Sequence, residues 1–471
     1  MTAFASSKID RERAVNAVRE QLARVLGDRL LQDAGDRLPY SYDNSRQQAL
    51  PDLVAFPQTH EEIVLVVRAC HTHGLPLVSR GLGSGTAGAA VPVAGGLVLA
   101  LERMNRILRV DAANRVAVVQ PGVTNAELQK AVAVEGFFWP PDPTSAAYST
   151  VGGNLACNSA GPRAVKYGTP RDNTLGLRAV AGDGTELRTG VYTTKGVVGY
   201  DLTRLLIGSE GTLGVITEAT LKLTPLQSGK QTLRAVYADM TTAASAVSRI
   251  MAQPVTPAAL EFIDGTAIAM IRGYANTDLP ENAGAMLIVE VDGDDACLAA
   301  ATDAVSAAVK GEGLMELRRA ATAEETRALW TARKALSPAL RKVAPKKINE
   351  DVVVPVSRMA ELIGGLQELA ARYAITIVNF GHAGNGNIHV NLLADPDDER
   401  QMRVIDECLN DVFSLVLKLG GTLSGEHGIG LVKKEYVGLE IEPGTLEMMR
   451  RIKAQFDPKG ILNPGKFFPS T

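Results

Sequence analysis

Three of the six histidines in this chain lie in two glycine-rich segments near its C-terminal end. The first segment, GHAGNGNIHVN, contains His382 and His389, and the second, SGEHGIG, contains Glu426 and His427. Two imidazoles and one carboxylate are a common ligand set for a divalent metal ion in an enzyme. We therefore predict that His382, His389 and Glu426 bind a metal ion, Zn²⁺ or Mn²⁺. The alternative is that these are ordinary loop histidines.

His427 is the third histidine of these two segments and is not one of the predicted metal ligands. It follows Glu426 directly in the chain, so the two side chains point in different directions. A neutral imidazole near pH 7 suits abstraction of a proton from an alcohol, more so when a metal has lowered the pKa of that alcohol. We expect His427 to act as the catalytic base. The alternative is a histidine that only orients Glu426.

The segments around the first two histidines predict a hairpin. ITIVNFG and IHVNLL have the composition of strands, and AGNGN between them is typical of a turn. Such a hairpin brings His382, at the end of one strand, beside His389 at the start of the next. Period-two alternation then places Asn391 on the same face as His389. The result is a pair of metal ligands with a hydrogen-bonding amide next to it.

The remaining sequence indicates an α+β fold divided into domains. Residues 1–50 begin as a helical segment, and residues 51–226 consist of short strand and turn units. Residues 227–454 alternate longer helices with strands, a pattern that fits helices packed on one face of an antiparallel sheet. Residues 455–471 form a turn-rich tail.

Composition limits the class of protein. At 471 residues the chain is long enough for two or three domains, and a net charge of −3 without a basic stripe indicates no nucleic-acid partner. The four cysteines show no CxxC pattern, as expected for thiols in a reducing compartment. The first residues lack the apolar core of a secretory signal, and no stretch reaches the ~18 uncharged apolar residues of a membrane span. We expect a cytoplasmic protein and leave open its association with the inner face of the membrane.

A glycine loop near the N-terminal end matches the dinucleotide-binding spacing. The match is formed by Gly83, Gly85 and Gly88, with Glu102 about where the ribose-binding acid would lie. The following residues, AAVPVAGG, include Pro92 and two glycines, which prevent the helix that a Rossmann unit requires. A loop rich in backbone N–H groups can still approach a pyrophosphate. We predict a phosphate-binding loop without a Rossmann fold, with a plain turn as the alternative.

Several motifs resemble a known flavoprotein superfamily. VSRGLGSGTAG, VVQPG, WPPDPTSAAYSTVGGNLACNSAG, KYGTPRDNTLG and LLIGSEGTLGVITEATLKL resemble the FAD-binding domain of the vanillyl-alcohol oxidase and p-cresol methylhydroxylase (PCMH) superfamily. ARKALSPAL, GHAGNGNIHVN, SGEHGIG and LNPGK are similar to the FAD-linked D-2-hydroxyacid dehydrogenases, which include enzymes for D-lactate, D-2-hydroxyglutarate and glycolate. The resemblance implies a PCMH-type FAD-binding domain, an α+β substrate domain and a tail that returns to the FAD domain.

The resemblance also implies which residues contact FAD. They are Arg80, Gly81, Leu82, Gly83, Ser84, Gly85, Thr86, Pro121, Gly122, Thr144, Ser145, Gly152, Gly153, Asn154, Asn158, Gly161, Glu210, Gly214, Ile216 and Asn463. Many members of the superfamily attach FAD covalently through a histidine of the glycine loop. This chain has no histidine or cysteine between residues 74 and 100, so we expect FAD to be bound non-covalently.

The substrate side is predicted from chemistry and from the resemblance together. The carboxylate of a 2-hydroxy acid favours a bidentate guanidinium partner, and the resemblance assigns Arg333 to it, although sequence alone does not separate Arg333 from Arg341. Asn391 and Asn349 are expected to contact the substrate. Asn349 stands where some relatives have lysine, which weakens the case for a dicarboxylate such as 2-hydroxyglutarate.

These features predict oxidation of a D-2-hydroxy acid, with D-lactate as the first candidate. The resemblance implies that the α-hydrogen passes as hydride to flavin N5 while His427 takes the hydroxyl proton. The expected electron acceptor is a quinone, a cytochrome or an electron-transfer flavoprotein rather than NAD, and a homodimer is compatible with the sequence. Three alternatives stay open: a dehydrogenase for D-2-hydroxyglutarate or a larger hydroxy acid, an FAD subunit of a glycolate oxidase complex, and a flavin-free metallohydrolase.

Overall fold

The computed structural model describes residues 8–272, 279–343 and 346–470. Its strands are β1 (Leu30–Leu31), β2 (Leu53–Ala55), β3 (Leu77–Arg80), β4 (Leu97–Ala100), β5 (Ile107–Asp111), β6 (Val116–Val119), β7 (Phe137–Phe138), β8 (Thr174–Val180), β9 (Glu186–Gly190), β10 (Val215–Lys222), β11 (Thr224–Pro225), β12 (Gly229–Tyr237), β13 (Ala259–Asp264), β14 (Ala285–Gly293), β15 (Leu314–Arg319), β16 (Lys346–Val353), β17 (Thr376–His382) and β18 (Asn387–Ala394).

The α-helices of the described residues are α1 (Lys8–Leu26), α2 (Ala34–Arg37), α3 (His60–His73), α4 (Asn125–Ala133), α5 (Val151–Cys157), α6 (Ala164–Tyr167), α7 (Leu202–Leu206), α8 (Met240–Ala252), α9 (Gly265–Arg272), α10 (Asp295–Val309), α11 (Ala323–Val343), α12 (Met359–Tyr373), α13 (Glu399–Lys418), α14 (Val437–Glu440) and α15 (Pro443–Phe456).

The chain divides into two compact units. The first contains the described residues up to Ala160, then Gly168–Leu226 and the chain from Glu426 onward; the second contains Gly161–Tyr167 and Gln227–Gly425. This division differs from the sequence-derived boundaries at two places. Residues 426–454, which we expected in the substrate domain, group with the first unit, and a seven-residue stretch inside the expected FAD domain groups with the second.

Side-chain contacts explain both differences. In the first unit, the Lys453 ammonium on α15 donates to the carbonyl oxygens of Thr212, at 2.6 Å, and Leu462, at 3.0 Å. In the second unit, the hydroxyl of Tyr167 on α6 donates to the Asp292 carboxylate at 2.7 Å, and Lys166 forms an ion pair with the same carboxylate. The contacts of Lys453 with Thr212 and of α6 with Asp292 are long-range, so composition along the chain does not reveal them.

The first unit is built on two main sheets. One has the strand order β1-β2-β4-β3, in which β2, β4 and β3 are parallel, and the other is antiparallel with the order β5-β6-β10-β8-β9. Helix α3 packs its apolar side on the first sheet; it begins after Thr59, whose side chain caps the helix, and ends at Gly74 with φ of +64°. Residues 81–96, between β3 and β4, form no helix, as the proline and glycines of this segment predict.

The second unit is built on one antiparallel sheet with the order β15-β12-β14-β13-β17-β18-β16. Helices cover both of its faces. Val236 packs with Ile268 of α9 and Leu336 of α11, whereas the hydroxyl of the next residue, Tyr237, donates to the carbonyl of Val309 at the end of α10, 2.6 Å away. The prediction of helices on one face is therefore wrong. Strands such as AMLIVEV are buried along their whole length, which requires cover on both sides.

The described part of the chain shows neither disulfides nor a membrane-spanning helix. The four cysteines all lie among the described residues, and none of them forms a disulfide. No helix among the described residues is long and apolar enough to cross a bilayer.

Candidate functional site

The predicted hairpin is present in the second unit and carries both histidines. Strands β17 and β18 are antiparallel, with His382 opposite Asn387 and Phe380 opposite His389. Gly386, with φ of +71°, makes the turn between them. The centroids of the two imidazole rings are 5.3 Å apart with their planes at 85°, and both side chains are buried. The prediction of adjacent histidines on this hairpin is confirmed.

His382 and His389 belong to the second unit, whereas Glu426 belongs to the first, so the convergence of the three side chains on one metal ion stays a prediction. Glu426 is bonded to Gly425, whose backbone N–H donates to the carboxylate of Asp351 at 2.8 Å. Asp351 is fully buried on β16, directly opposite His389 in the sheet. Asp351 therefore fixes the backbone directly before Glu426.

Glu261 on β13 is a buried carboxylate that sequence reasoning missed. One of its oxygens lies 2.6 Å from Nδ1 of His382, and the other accepts a hydrogen bond from Nε of Arg333, also at 2.6 Å. Burial alone would raise the pKa of Glu261, but the electrostatic interactions and hydrogen bonds with His382 and Arg333 outweigh it, so the pKa lies below its usual value. The sequence does contain a sign of this role, since Glu261 is a charged residue inside the otherwise apolar strand ALEFID. A charged residue buried in such a strand needs partners for its charge.

Arg333 is held with a defined orientation on α11. Its side chain is buried, its Nε is bound to Glu261, and its guanidinium carbon lies 4.8 Å from the centroid of the Phe380 ring. Among the described residues, none accepts a hydrogen bond from the two terminal amino groups of Arg333. These amino groups form the edge of the guanidinium that binds a carboxylate in bidentate fashion. The side chain of Arg341 lies outside the described residues.

Asn391 and Asn349 lie opposite each other on β18 and β16, on the face of the sheet that carries His389. The Asn391 amide group donates to the carbonyl oxygens of Val378, at 3.0 Å, and His389, at 2.9 Å. The Oδ1 atoms of both asparagines are buried, and neither has a hydrogen-bond partner among the described residues. Buried polar atoms are normally hydrogen-bonded, so these two oxygens are candidates for contacts with a bound molecule.

In the first unit, the glycine loop after β3 offers backbone donors. The backbone N–H groups of residues 82–86 make no hydrogen bond to any described residue, and a Cβ at Gly85 would meet nothing within 4 Å. The Arg80 guanidinium is instead buried and donates to the carbonyl oxygens of Tyr42, at 2.7 Å, and Pro39, at 3.3 Å. Burial lowers the pKa of Arg80. The loop backbone fits a pyrophosphate, and the arginine braces the loop.

Three of the segments predicted to bind FAD meet in the first unit. A Cβ added to Gly81 would lie 2.5 Å from Oγ1 of Thr150, and one added to Gly152 would lie 2.6 Å from Cβ of Pro121. Such distances leave room for glycine alone. The glycine loop, the turn at Pro121 and the start of α5 are therefore packed together, as one binding surface requires.

The amides among the predicted FAD residues are engaged within the first unit. Asn154 accepts from the amide of Asn125 at 3.1 Å, and Asn158 accepts from a backbone N–H at 3.0 Å. The Asn463 amide group donates to the carbonyl oxygens of Ala89, at 3.0 Å, and Glu210, at 2.7 Å. These side chains hold the surrounding backbone in place, and their contact with FAD stays a prediction.

The other residues of the predicted FAD set are distributed over loops, α5 and one strand. Gly122 precedes α4, Thr144 and Ser145 precede α5, Gly153 lies within α5, Gly214 precedes β10, and Ile216 lies on β10 in the core. Gly161 belongs to the second unit.

Glu210 anchors the end of the SGEHGIG segment within the first unit. Its carboxylate accepts hydrogen bonds from the backbone N–H groups of Ile429, at 2.6 Å, and Gly430, at 2.8 Å. Burial raises the pKa of Glu210, although these hydrogen bonds oppose the increase. Gly428, with φ of +84°, leaves no space for a Cβ, which would lie 2.7 Å from this carboxylate. The backbone around His427 is thus fixed from its C-terminal side.

Comparison with protein families covers most of the chain. Residues 51–190 match the FAD binding domain family, and residues 226–467 match the family described as FAD linked oxidases, C-terminal domain. The chain belongs to the FAD-linked oxidase family. The prediction of FAD as cofactor and the recognition of this flavoprotein superfamily are confirmed.

Individual relatives of this FAD-linked oxidase agree with the assignment. The chain is 41% identical over 453 residues to glycolate oxidase subunit GlcD of Bacillus subtilis (strain 168), covering 96% of each protein. It is 37% identical over 415 residues to D-lactate dehydrogenase of Archaeoglobus fulgidus, covering 88% of this chain and 90% of the relative. It is thus an FAD-linked oxidoreductase of the glycolate oxidase and D-lactate dehydrogenase type.

The fold of this FAD-linked oxidase is also found in a solved structure. p-Cresol methylhydroxylase with substrate bound superposes with a TM-score of 0.79, covering 99% of this chain and 98% of that chain at 17% identity. The prediction of an α+β fold with a PCMH-type FAD-binding domain is confirmed.

Proposed function

We propose that this protein oxidises a short D-2-hydroxy acid, with D-lactate as the first candidate, to the 2-oxo acid. We further propose that His382, His389 and Glu426 bind a divalent metal ion, Zn²⁺ or Mn²⁺. The observation that carries the proposal is the double contact of Glu261, 2.6 Å from both His382 and Arg333. The buried Glu261 therefore contacts both a proposed ligand of the metal ion and the arginine proposed to bind the carboxylate of the substrate.

The residues of the metal site fit a divalent ion. Two buried imidazoles with ring centroids 5.3 Å apart supply nitrogen donors and Glu426 supplies a carboxylate, the donor set that such an ion takes. A carboxylate only accepts hydrogen bonds, so Nδ1 of His382 carries the proton toward Glu261 and Nε2 carries the lone pair that a metal needs. Three protein ligands leave coordination positions for substrate oxygens, as catalytic metal sites require.

Arg333 supplies the recognition of the substrate carboxylate in this proposal. Its terminal amino groups form two parallel donors, and its Nε is already bound to Glu261, so the guanidinium plane is set before substrate arrives. Packing over Phe380 limits rotation of that plane. The buried Oδ1 atoms of Asn391 and Asn349 are proposed to contact the rest of the substrate.

The proposed reaction removes a proton from the hydroxyl group and a hydride from the α-carbon. When bound, FAD supplies the two-electron acceptor for the hydride, and a divalent metal lowers the pKa of the hydroxyl group. We propose that His427 takes the hydroxyl proton, because a neutral imidazole is a competent base near pH 7. Arg333 holds the carboxylate through the same step, so the carbon that loses hydride stays in place.

Glycolate is the second candidate substrate. The relative from Bacillus subtilis, at 41% identity, is named glycolate oxidase subunit GlcD, and glycolate carries the same 2-hydroxy carboxylate as D-lactate without the methyl group. The word subunit in that name supports the proposal that this chain works with a further protein; a homodimer is the alternative assembly. We propose a quinone, a cytochrome or an electron-transfer flavoprotein as the electron acceptor.

A substrate screen with an artificial dye acceptor tests the proposed function. We expect D-lactate or glycolate to reduce the dye, and expect L-lactate and D-2-hydroxyglutarate to be poor substrates. Treatment with a chelator should abolish turnover while FAD stays bound, and Zn²⁺ or Mn²⁺ should restore it. Full activity of protein that elemental analysis shows to be metal-free would disprove the metal site, and absence of activity with every 2-hydroxy acid would disprove the substrate class.

A further inference from the structure

We infer that Glu261 is a positioning residue shared by the metal site and the substrate site. The inference rests on the proposed function and deepens it. By this inference Glu261 touches neither substrate nor cofactor; it acts through His382, whose tautomer it fixes, and through Arg333, whose guanidinium plane it fixes.

The geometry supports a single carboxylate with two tasks. The two oxygens of Glu261 are divided between two partners, since one lies 2.6 Å from His382 Nδ1 and the other 2.6 Å from Arg333 Nε. The three side chains come from β17, β13 and α11, and the glutamate is separated from the histidine by 121 residues in sequence. All three are buried, so water competes weakly for these contacts.

The contact with His382 selects the proton position on the ring. A neutral imidazole carries one proton, and only the nitrogen without it can bind a metal. Because Glu261 can only accept, the tautomer with the proton on Nδ1 is favoured, and Nε2 keeps its lone pair. A carboxylate hydrogen-bonded to a ligand histidine also increases the basicity of the ring.

The contact with Arg333 selects which edge of the guanidinium is available. A carboxylate bound at Nε occupies one side of the planar group, so the terminal amino groups are left for a second carboxylate. The ring of Phe380, 4.8 Å from the guanidinium carbon, supports the same plane from one face. A purely structural ion pair would be expected to satisfy the terminal amino groups as well, and no described residue does so.

Glutamine at position 261 separates these tasks. Its side chain keeps the shape of glutamate but offers one acceptor oxygen and one donor NH₂ group. One partner must then face a donor. If that partner is His382, the ring takes the other tautomer and loses the lone pair on Nε2; if it is Arg333, the guanidinium swings away. We expect Glu261→Gln to weaken metal binding about 10–100-fold, the range for loss of such an orienting partner.

The test is Zn²⁺ affinity, measured on the FAD-containing protein by competition with a chromophoric chelator. Wild type, Glu261→Gln, Arg333→Gln and Glu290→Gln are compared. Glu290 is a buried glutamate on β14 that pairs with Lys230 at 3.5 Å, so it controls for loss of a carboxylate from the same sheet. We expect weaker Zn²⁺ binding for Glu261→Gln only, with the other two variants within about threefold of wild type.

The second readout is kinetic and uses Zn²⁺-saturated protein. Glu261→Gln should still show a raised KM for D-lactate, because the neutral amide oxygen left for Arg333 is a weaker acceptor than a carboxylate, whereas Glu290→Gln should not. Should Glu261→Gln fail to fold, as judged by lost flavin absorbance, Glu261→Asp serves instead. It keeps the charge but is one methylene shorter and cannot reach both partners, so it should show the same two defects in weaker form.

The outcomes separate this inference from the proposed function. Wild-type protein that binds neither Zn²⁺ nor Mn²⁺ overturns the metal site and the inference together. Wild-type protein that binds Zn²⁺, alongside a Glu261→Gln variant that binds it equally tightly and has an unchanged KM, overturns the inference alone.

Discussion

The carboxylate of Asp351 accepts a hydrogen bond from the backbone N–H of Gly425, with 2.8 Å between oxygen and nitrogen. The same carboxylate accepts from the hydroxyl of Ser424 at 3.0 Å. Asp351 lies opposite His389 on the neighbouring strand. The residue before Glu426 is therefore tied to the strand that flanks one of the predicted metal ligands.

Asp351→Ala should weaken metal binding by about tenfold or more, because it removes the charged acceptor of the Gly425 N–H and of the Ser424 hydroxyl, and a hydrogen bond to a charged group contributes roughly 1.5–3 kcal/mol. Ser424→Ala is the matched control, since it removes the hydroxyl and leaves the contact between Asp351 and Gly425 in place. It should stay within about threefold of wild type in Zn²⁺ affinity. Equal affinities for wild type and Asp351→Ala would show that the position of Glu426 does not depend on this anchor.

Arg333→Lys should raise the KM for D-lactate and lower kcat/KM about 10–100-fold, because a point charge replaces a planar pair of donors. The lysine can still pair with Glu261, so Zn²⁺ affinity should remain near that of wild type. Steady-state kinetics with a dye acceptor gives both constants. A variant with unchanged KM would mean that another residue binds the carboxylate.

His427→Asn should retain FAD and metal while the rate of flavin reduction by D-lactate falls about 10²–10⁴-fold, as expected for loss of a general base. The pH profile of kcat/KM should also lose its acidic limb, since the group that must be deprotonated is absent. Anaerobic stopped-flow measurement of flavin reduction tests this directly. Reduction as fast as in wild type would return His427 to a role in orienting Glu426.

FAD should be released intact when the protein is precipitated by acid or heat. The glycine loop contains neither histidine nor cysteine, so it has no nucleophile for a bond to the flavin. The yellow colour should stay in the supernatant, and mass spectrometry of the polypeptide should show the mass of the unmodified chain. Flavin that remains with the precipitate would identify a covalent attachment elsewhere.

Lys466 should make stability depend on pH. Burial lowers the pKa of Lys466 to about 7, although the carboxylates of Asp43 and Glu210 oppose the decrease. An unfolded lysine titrates near ~10.4, so between these values the unfolded chain binds the extra proton. The stability that depends on neutral Lys466 is therefore fully present above pH ~10.4. As the pH falls toward 7, the free energy of unfolding decreases, with a slope of at most about 1.4 kcal/mol per pH unit.

The measurement for Lys466 compares urea unfolding of wild type and Lys466→Met from pH 7 to pH 10. The variant also removes a hydrogen bond to Asn463, but this gives an offset that does not change with pH. Wild type should gain stability relative to the variant as the pH rises. Lys459→Met, which changes an exposed lysine, should show no such trend. Parallel curves for wild type and Lys466→Met would contradict the prediction.

Local features of the site were predictable because they depend on neighbours in sequence. The hairpin that carries His382 and His389 follows from strand alternation around a turn containing Gly386. The absence of a helix after the glycine loop follows from Pro92 and the glycines around it. The order of the motifs was sufficient to recognise the flavoprotein family.

The partners of these residues were not predictable, because they come from distant parts of the chain. Glu261 reaches His382 across 121 residues, since β13 and β17 are neighbours in the sheet. Residue chemistry alone did not separate Arg333 from Arg341, so its assignment depended on the family resemblance, whereas the structure shows its contact with Glu261 and its place over Phe380. The sequence determined which chemical groups this protein carries and the local turns that present them. The tertiary structure decided which carboxylate faces which base, because strand order in a sheet is set by packing over the whole unit rather than by any one segment.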